Sequence, residues 1–259
     1  MEQWDSGAEE PGPGEREAIR SPPEAVESVG YNLKEIATLL RKVNRRLLKA
    51  YGKPSRSPPP LDNKEDPLDE LIYITLTQRT HGPGSSQAYE NLKRKFPEWG
   101  RISESPAEYV YSAVERSGLA PLKTKRIVRI VNDVAQREKT VSLDFLRSLS
   151  DQEVQRVLTK ELRAGQKTAR AVMMYSLGRD VFPADTHCLR ILRRVGAIAT
   201  NIKHETANRR IEDVVPPGIR YDLHVNMVQH GRAVCTSRKP KCMACVLDDI
   251  CPKVGLGNA

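Results

Sequence analysis

Lys167 and Asp185, an amine and a carboxylate, stand eighteen positions apart in the stretch from Glu161 to Arg193. Gly165 interrupts the chain just before the lysine, so a helix can begin at Gln166 and run to Leu177. A helix of about 12 residues is about 18 Å long. The segment from Gly178 to Ala184 spans on the order of 25 Å when extended, enough to run back and set Asp185 beside Lys167. Asp185 precedes Thr186-His187-Cys188-Leu189, where an aspartate makes a good N-cap. An amine and a carboxylate at two helix N-termini, facing one groove, suit nucleophilic attack on an electrophilic carbon. Without other signals, the same two residues read first as a surface lysine and a structural cap.

A second set of chemically able residues lies near the C-terminus. Cys235, Cys242, Cys245 and Cys251 are separated by six, two and five residues, and they are four of the five cysteines in the chain. No secretory feature accompanies them, so reduced thiols and a metal centre outrank disulfides. Four thiolates suit a 4Fe–4S cluster or a structural zinc. The single compact loop lacks the two separated CxxC knuckles of zinc ribbons, which favours iron–sulfur. Arg238, Lys239 and Lys241 lie between the first two cysteines. A basic loop clipped by a metal centre is a stiff device for binding phosphate, or else a staple with solvated charges.

The elements that must position these groups read as helix after helix. The 259 residues are 39% hydrophobic and 5% aromatic, with a formal charge of +9. That balance predicts a core of Leu, Ile, Val and Ala and an anionic partner, nucleic acid first. No apolar run approaches the ~20 residues of a membrane span. Residues 1–28, rich in Glu, Pro, Gly and Ser, read as a disordered tail. Tyr31 to Tyr51 carries one apolar stripe through Ile36, Leu40, Val43 and Leu47, opposite Arg41, Lys42, Arg45, Arg46 and Lys49. Gly52 to Glu65 reads as a proline-rich linker. Further helices are expected from Asp66-Pro67 to Gln78, over 85–96, from Ser105-Pro106, and over 123–137, 143–149, 151–162, 204–214 and 221–232. Cys188 reads as a small buried residue and His187 as a hydrogen-bonder at a helix start.

The cysteine spacing resembles the cluster loop of endonuclease III and its relatives, the helix–hairpin–helix DNA glycosylases. Gly165-Gln166-Lys167-Thr168-Ala169 resembles the second half of that family's hairpin, and Pro183-Ala184-Asp185-Thr186-His187 resembles its aspartate motif. Gln78-Arg79-Thr80 and Gly118-Leu119 sit where the family carries residues that enter DNA. The resemblance covers about 29–252, in order. It implies an all-α, two-lobed fold with a 4Fe–4S cluster. One lobe is a helical barrel domain, 66–185, with the hairpin. The other is an iron–sulfur cluster domain, combining the N-terminal helix and linker, 29–65, with the C-terminal helices and cluster loop, 186–259.

The resemblance also implies a function. Double-stranded DNA with damaged bases or abasic sites would lie across the cleft, bound by a monomer that touches no membrane. Such a protein belongs in the bacterial cytoplasm with the nucleoid, or in a eukaryotic nucleus. A base stacked in a duplex is out of reach, so the nucleotide must be extruded. Asp185 would stabilise the oxocarbenium-like C1′ and help free the amine. Lys167 would attack C1′ to form a Schiff base that permits β-elimination. A helix N-terminus disfavours the ammonium form. Gln78 would fill the gap in the stack and Leu119 would wedge into it. The excised base implied is an oxidised pyrimidine. The family usually writes Leu-Pro-Gly-x-Gly before its lysine, and here those places are Glu161, Leu162, Arg163, Ala164 and Gly165. Arg163 replaces a glycine that reaches positive φ freely, so a looser turn, or a guanidinium gripping phosphate, is expected there.

Two alternatives stay open. A monofunctional adenine glycosylase shares the loop and the aspartate, but it uses a glutamate four residues before the glutamine, where this chain has Ile74, and it usually lacks the lysine. A non-catalytic DNA-binding iron–sulfur protein would not need both Lys167 and Asp185.

Overall fold

The computed structural model describes residues 32–79, 84–138 and 140–256, and no strand occurs among them. The tail 1–28, residues 29–31 and Thr80 lie outside the described residues. The α-helices are α1 (Leu33–Tyr51), α2 (Pro67–Thr77), α3 (Gly84–Lys95), α4 (Ala107–Val114), α5 (Ala120–Arg137), α6 (Asp151–Arg156), α7 (Gln166–Tyr175), α8 (Thr186–Arg194), α9 (His204–Val214) and α10 (Arg220–Ala233). None is long and apolar enough to cross a membrane.

Local chemistry sets the boundaries. Asn32 accepts the amides of Lys34 and Glu35 while Glu35 accepts that of Asn32, a capping box that starts α1. Asp66 accepts the amides of Leu68 and Asp69 and starts α2, with Pro67 at a position where no amide is missed. α5 begins three residues before the expected Lys123, because Pro121 fits a first helical turn. Leu143 to Leu149 contributes only a 3-10 turn, Asp144–Ser148, and the expected helix 151–162 passes at Val157 into a π-type turn, Val157–Glu161.

Two hydrophobic cores form. One gathers Leu68, Ile72, Leu92, Ile127 and Val172, and the other gathers Ile36, Leu40, Leu47, Phe182, Leu189 and Met227. The stripe Ile36, Leu40, Val43 and Leu47 is fully buried. Each such side chain contributes roughly 1.5–3 kcal/mol, which outweighs anything the solvated basic face of α1 could add. α10 is buried nearly all round, giving Tyr221 and Val225 to the first core and Leu223 and Met227 to the second. The proline-rich run expected as a linker is a strap against α10. Asn226 Nδ2 donates to the Gly52 carbonyl over 3.1 Å, the Tyr221 hydroxyl donates to the Ser55 carbonyl, and the Arg56 guanidinium lies 4.1 Å over the Tyr221 ring.

Candidate active site

α7 opens after Gly165 and carries Lys167 in its first turn; α8 opens at Asp185. The chain between them leaves the helix at Tyr175, two residues sooner than expected, and runs back without further helix. Its course is pinned at both ends. Arg179 Nη2 donates to the carbonyls of Arg147 and Leu149 at 3.0 and 2.9 Å. Glu212 accepts the amide of Phe182 over 3.0 Å and pairs with buried Arg170 at 2.8 Å. Asp185 then caps α8, with Oδ1 accepting the amide of Cys188 at 2.8 Å.

Lys167 and Asp185 are both half-buried, and their charges interact. Burial works against ionisation of Asp185. It is outweighed by His224, the Cys188 amide, Lys167 and His187, which together hold the carboxyl below its ordinary value. His224 lends its attraction only when protonated, and burial pushes its imidazole down to about 4. Near neutral pH the amide and the lysine therefore carry most of the effect.

Behind the pair lies a set of buried titratable groups. His224 packs edge-on against Tyr175 and Phe182, at 5.9 and 5.5 Å between centroids, and its Nδ1 is 3.4 Å from Cys188 Sγ. Burial holds the Tyr175 hydroxyl and the Cys188 thiol protonated, well above their ordinary values. Glu70 of α2 is also fully buried, and Lys167 acts on its charge. Sequence reading passed over Glu70, His224 and Tyr175. The sequence signal for Glu70 was weak, because it stands beside a second carboxylate, Asp69, at the start of the apolar run Leu71 to Ile74.

The residues expected to meet DNA divide into two groups. Gln78 closes α2, with its Oε1 accepting from Arg126 Nη1 at 2.6 Å and its Nε2 donating to Thr168 Oγ1 at 3.5 Å, beside Lys167. Leu119 stands at φ 52° and is 48% exposed, so an apolar side chain is held outward at a backbone angle that costs a leucine about 1–2 kcal/mol. Buried Lys123 ties the two together, donating to the carbonyls of Leu76 and Ser117. Arg163 also has a positive φ, 55°, while Gly165 has an ordinary φ of −68°. The hairpin turn is thus kept rather than loosened, with Ala164 N donating to the Leu158 carbonyl at 2.8 Å. A cavity of about 290 Å³ lies against this turn, lined by Thr75, Gln78, Arg126, Arg129 and residues 162–165.

Cys235, Cys242, Cys245 and Cys251 line one recess in the C-terminal loop. The four thiols lie near enough for their charges to act on one another. Such a donor set fits a 4Fe–4S cluster. Its surroundings supply hydrogen bonds to sulfur: Arg194 Nη1 to Cys235 at 3.1 Å, the Leu247 amide to Cys245 at 3.4 Å, and His230 Nε2 at 3.3 Å from Cys245. Arg238, Lys239 and Lys241 are exposed on the same loop.

Comparison with known proteins agrees with this geometry. Residues 72–217, over half of the chain, match the model of the HhH-GPD superfamily base excision DNA repair protein. Endonuclease III of Escherichia coli is 33% identical over 195 residues, covering 73% of this chain and 85% of that protein. Endonuclease III of Thermotoga maritima is 27% identical over 193 residues, covering 74% of this chain and 86% of that protein. The solved structure of a non-covalent endonuclease III–DNA complex has the same fold, with a TM-score of 0.70 at 19% identity over 86% of this chain and 96% of that one. The chain belongs to the HhH-GPD superfamily of base excision repair proteins, as an endonuclease III-like helix–hairpin–helix DNA glycosylase.

Proposed function

We propose that this glycosylase is bifunctional: it removes a damaged base, an oxidised pyrimidine, from double-stranded DNA and nicks the strand at the abasic site. The observation that carries this reading is the pairing of Lys167 with Asp185 at two helix N-termini, one amine and one ionised carboxylate in electrostatic contact. The endonuclease III relatives support it, and Ile74, where the monofunctional relatives carry a glutamate, gives no support to the adenine reading.

The steps follow from these groups. The target nucleotide leaves the stack, Gln78 fills the space and Leu119 wedges the gap. The glycosidic C–N bond breaks, the base departs with the bonding pair, and the carboxylate of Asp185 faces the positive charge left at C1′. Neutral Nζ of Lys167 forms a bond to C1′, and opening of the sugar ring gives an imine. Loss of a C2′ proton then expels the 3′ phosphate, and water releases the lysine. The four cysteines would hold a 4Fe–4S cluster that braces the loop bearing Arg238, Lys239 and Lys241 against phosphate.

Borohydride reduction of the imine tests this directly. On duplex containing an abasic site, wild type should form a covalent complex, and Lys167→Gln should form none while binding DNA nearly as well. Trapping that survives Lys167→Gln would assign the chemistry to another amine.

A further inference from the structure

Both residues that the steps above send into DNA are anchored on α5. Leu119 is its N-cap, in the left-handed region, and Gln78, which closes α2, meets its second turn. Lys123, in the first turn, is buried. Its ammonium donates to the carbonyl of Leu76, two residues before Gln78, and to that of Ser117, two residues before Leu119. Its own amide donates to the Leu119 carbonyl at 3.1 Å, so the strained residue is held on both sides. The Leu76 carbonyl lies in the last turn of α2, where no amide of that helix reaches it. Ser85 Oγ, at the start of α3, donates to it as well, at 3.2 Å.

Arg126, on the next turn of α5, reaches Gln78 itself. Its Nη1 donates to Gln78 Oε1 at 2.6 Å. A guanidinium has only donors, so the carboxamide turns its oxygen to Arg126 and its nitrogen to Thr168 Oγ1 at 3.5 Å. Taking an ammonium out of water is costly, and an apolar side chain at position 123 would fill a core better. What the cation supplies instead is one fixed geometry for the carbonyls of two separate segments.

We propose that Lys123 and Arg126 are positioning residues for DNA entry: they fix the spacing between Gln78 and Leu119, so that filler and wedge enter the duplex as one unit. This rests on the roles given to Gln78 and Leu119 above. Lys123 sets the two backbones, and Arg126 sets the carboxamide. Without them, Gln78 and Leu119 must find their register after DNA has bound, and extrusion of the nucleotide slows. Where the nucleotide is already outside the stack, that register matters little.

The test is the single-turnover rate of borohydride trapping on two DNAs, for wild type, Arg126→Met and Lys123→Met. In one DNA the abasic nucleotide faces a base within the duplex. In the other it is a single-nucleotide bulge, with the same flanking sequence and nothing opposite. Methionine keeps much of the length of either side chain and loses the donors. Both variants should trap the paired site about tenfold or more slowly than wild type, and the bulge within about twofold of it. Equal falls on both DNAs mark a merely structural role and overturn the proposal. So does trapping of the paired site at the wild-type rate by either variant. Should Lys123→Met fail to fold, Arg126→Met, whose side chain is half-exposed, decides alone. If wild type traps neither DNA, or Lys167→Gln still traps, the functional reading itself fails. If wild type traps both DNAs and Lys167→Gln neither, variants that show no contrast between the two sink this proposal alone.

Discussion

Arg194 Nη1 donates to Cys235 Sγ over 3.1 Å from the last turn of the helix that Asp185 caps. The same guanidinium donates to the carbonyls of Thr236 and Ser237 at 2.8 and 3.2 Å, and Arg190 reaches the Cys235 carbonyl at 2.8 Å. One short helix therefore carries the carboxylate at one end and grips the cysteine loop at the other. Hydrogen bonds that involve a charged group are worth about 1.5–3 kcal/mol each. Arg194→Ala is expected to lower iron and sulfide per chain, to weaken absorption in the visible, and to destabilise by about 3 kcal/mol or more. Full iron content at unchanged Tm would separate α8 from the loop.

Asp185 has two separable duties. As a cap it needs only an oxygen facing the Cys188 amide; as a partner to a cation it needs charge. Asp185→Asn should keep stability within about 0.5 kcal/mol near neutral pH, and Asp185→Ala should lose about 1 kcal/mol. Both should abolish base release. The folded carboxyl sits below its unfolded value, so its charge contributes stability above that unfolded value and loses it as pH falls through the folded one. Unfolding curves of wild type and Asp185→Asn should therefore converge on acidification below about pH 4.

The lysine–aspartate pair, its two helices and the cysteine loop were legible in sequence because each rests on local rules: a break at Gly165, a cap at Asp185, a spacing of thiols. Stripes such as Ile36, Leu40, Val43 and Leu47 gave α1 for the same reason. What the sequence did not carry are contacts across long separations. The 52–65 run looked free because proline and glycine dominate it, yet Tyr221, Asn226 and Arg56 hold it to α10. Glu70 and His224 gained their unusual protonation from burial by several helices at once, which no window of residues records.

Arg238, Lys239 and Lys241 are exposed on a loop whose recess the four cysteines line. If they meet phosphate, such contacts position the duplex without reading bases. Lys239→Ala with Lys241→Ala should weaken binding to every duplex alike and flatten the salt dependence by roughly 1 per lost contact. A slope equal to that of wild type assigns both lysines to solvent.

Arg163 poses the sharpest question at the hairpin, because the positive φ falls on it and not on Gly165. A side chain at that angle costs about 1–2 kcal/mol. Glycine would relieve the strain but loses roughly 0.5–1 kcal/mol through its freedom in the unfolded chain. Arg163→Gly should therefore raise stability by no more than about 1.5 kcal/mol, and Arg163→Ala, which keeps the strain, should raise it not at all. DNA binding decides what the arginine is for. If the exposed guanidinium holds a phosphate, both variants should flatten the salt dependence by about 1. If the turn's amides hold the phosphate, Arg163→Gly should bind as well as wild type or better, with its slope intact. The exposed guanidinium at a turn already locked by the Ala164–Leu158 hydrogen bond favours the first outcome. The strain is then the cost of aiming a charge where the usual glycine offers only backbone.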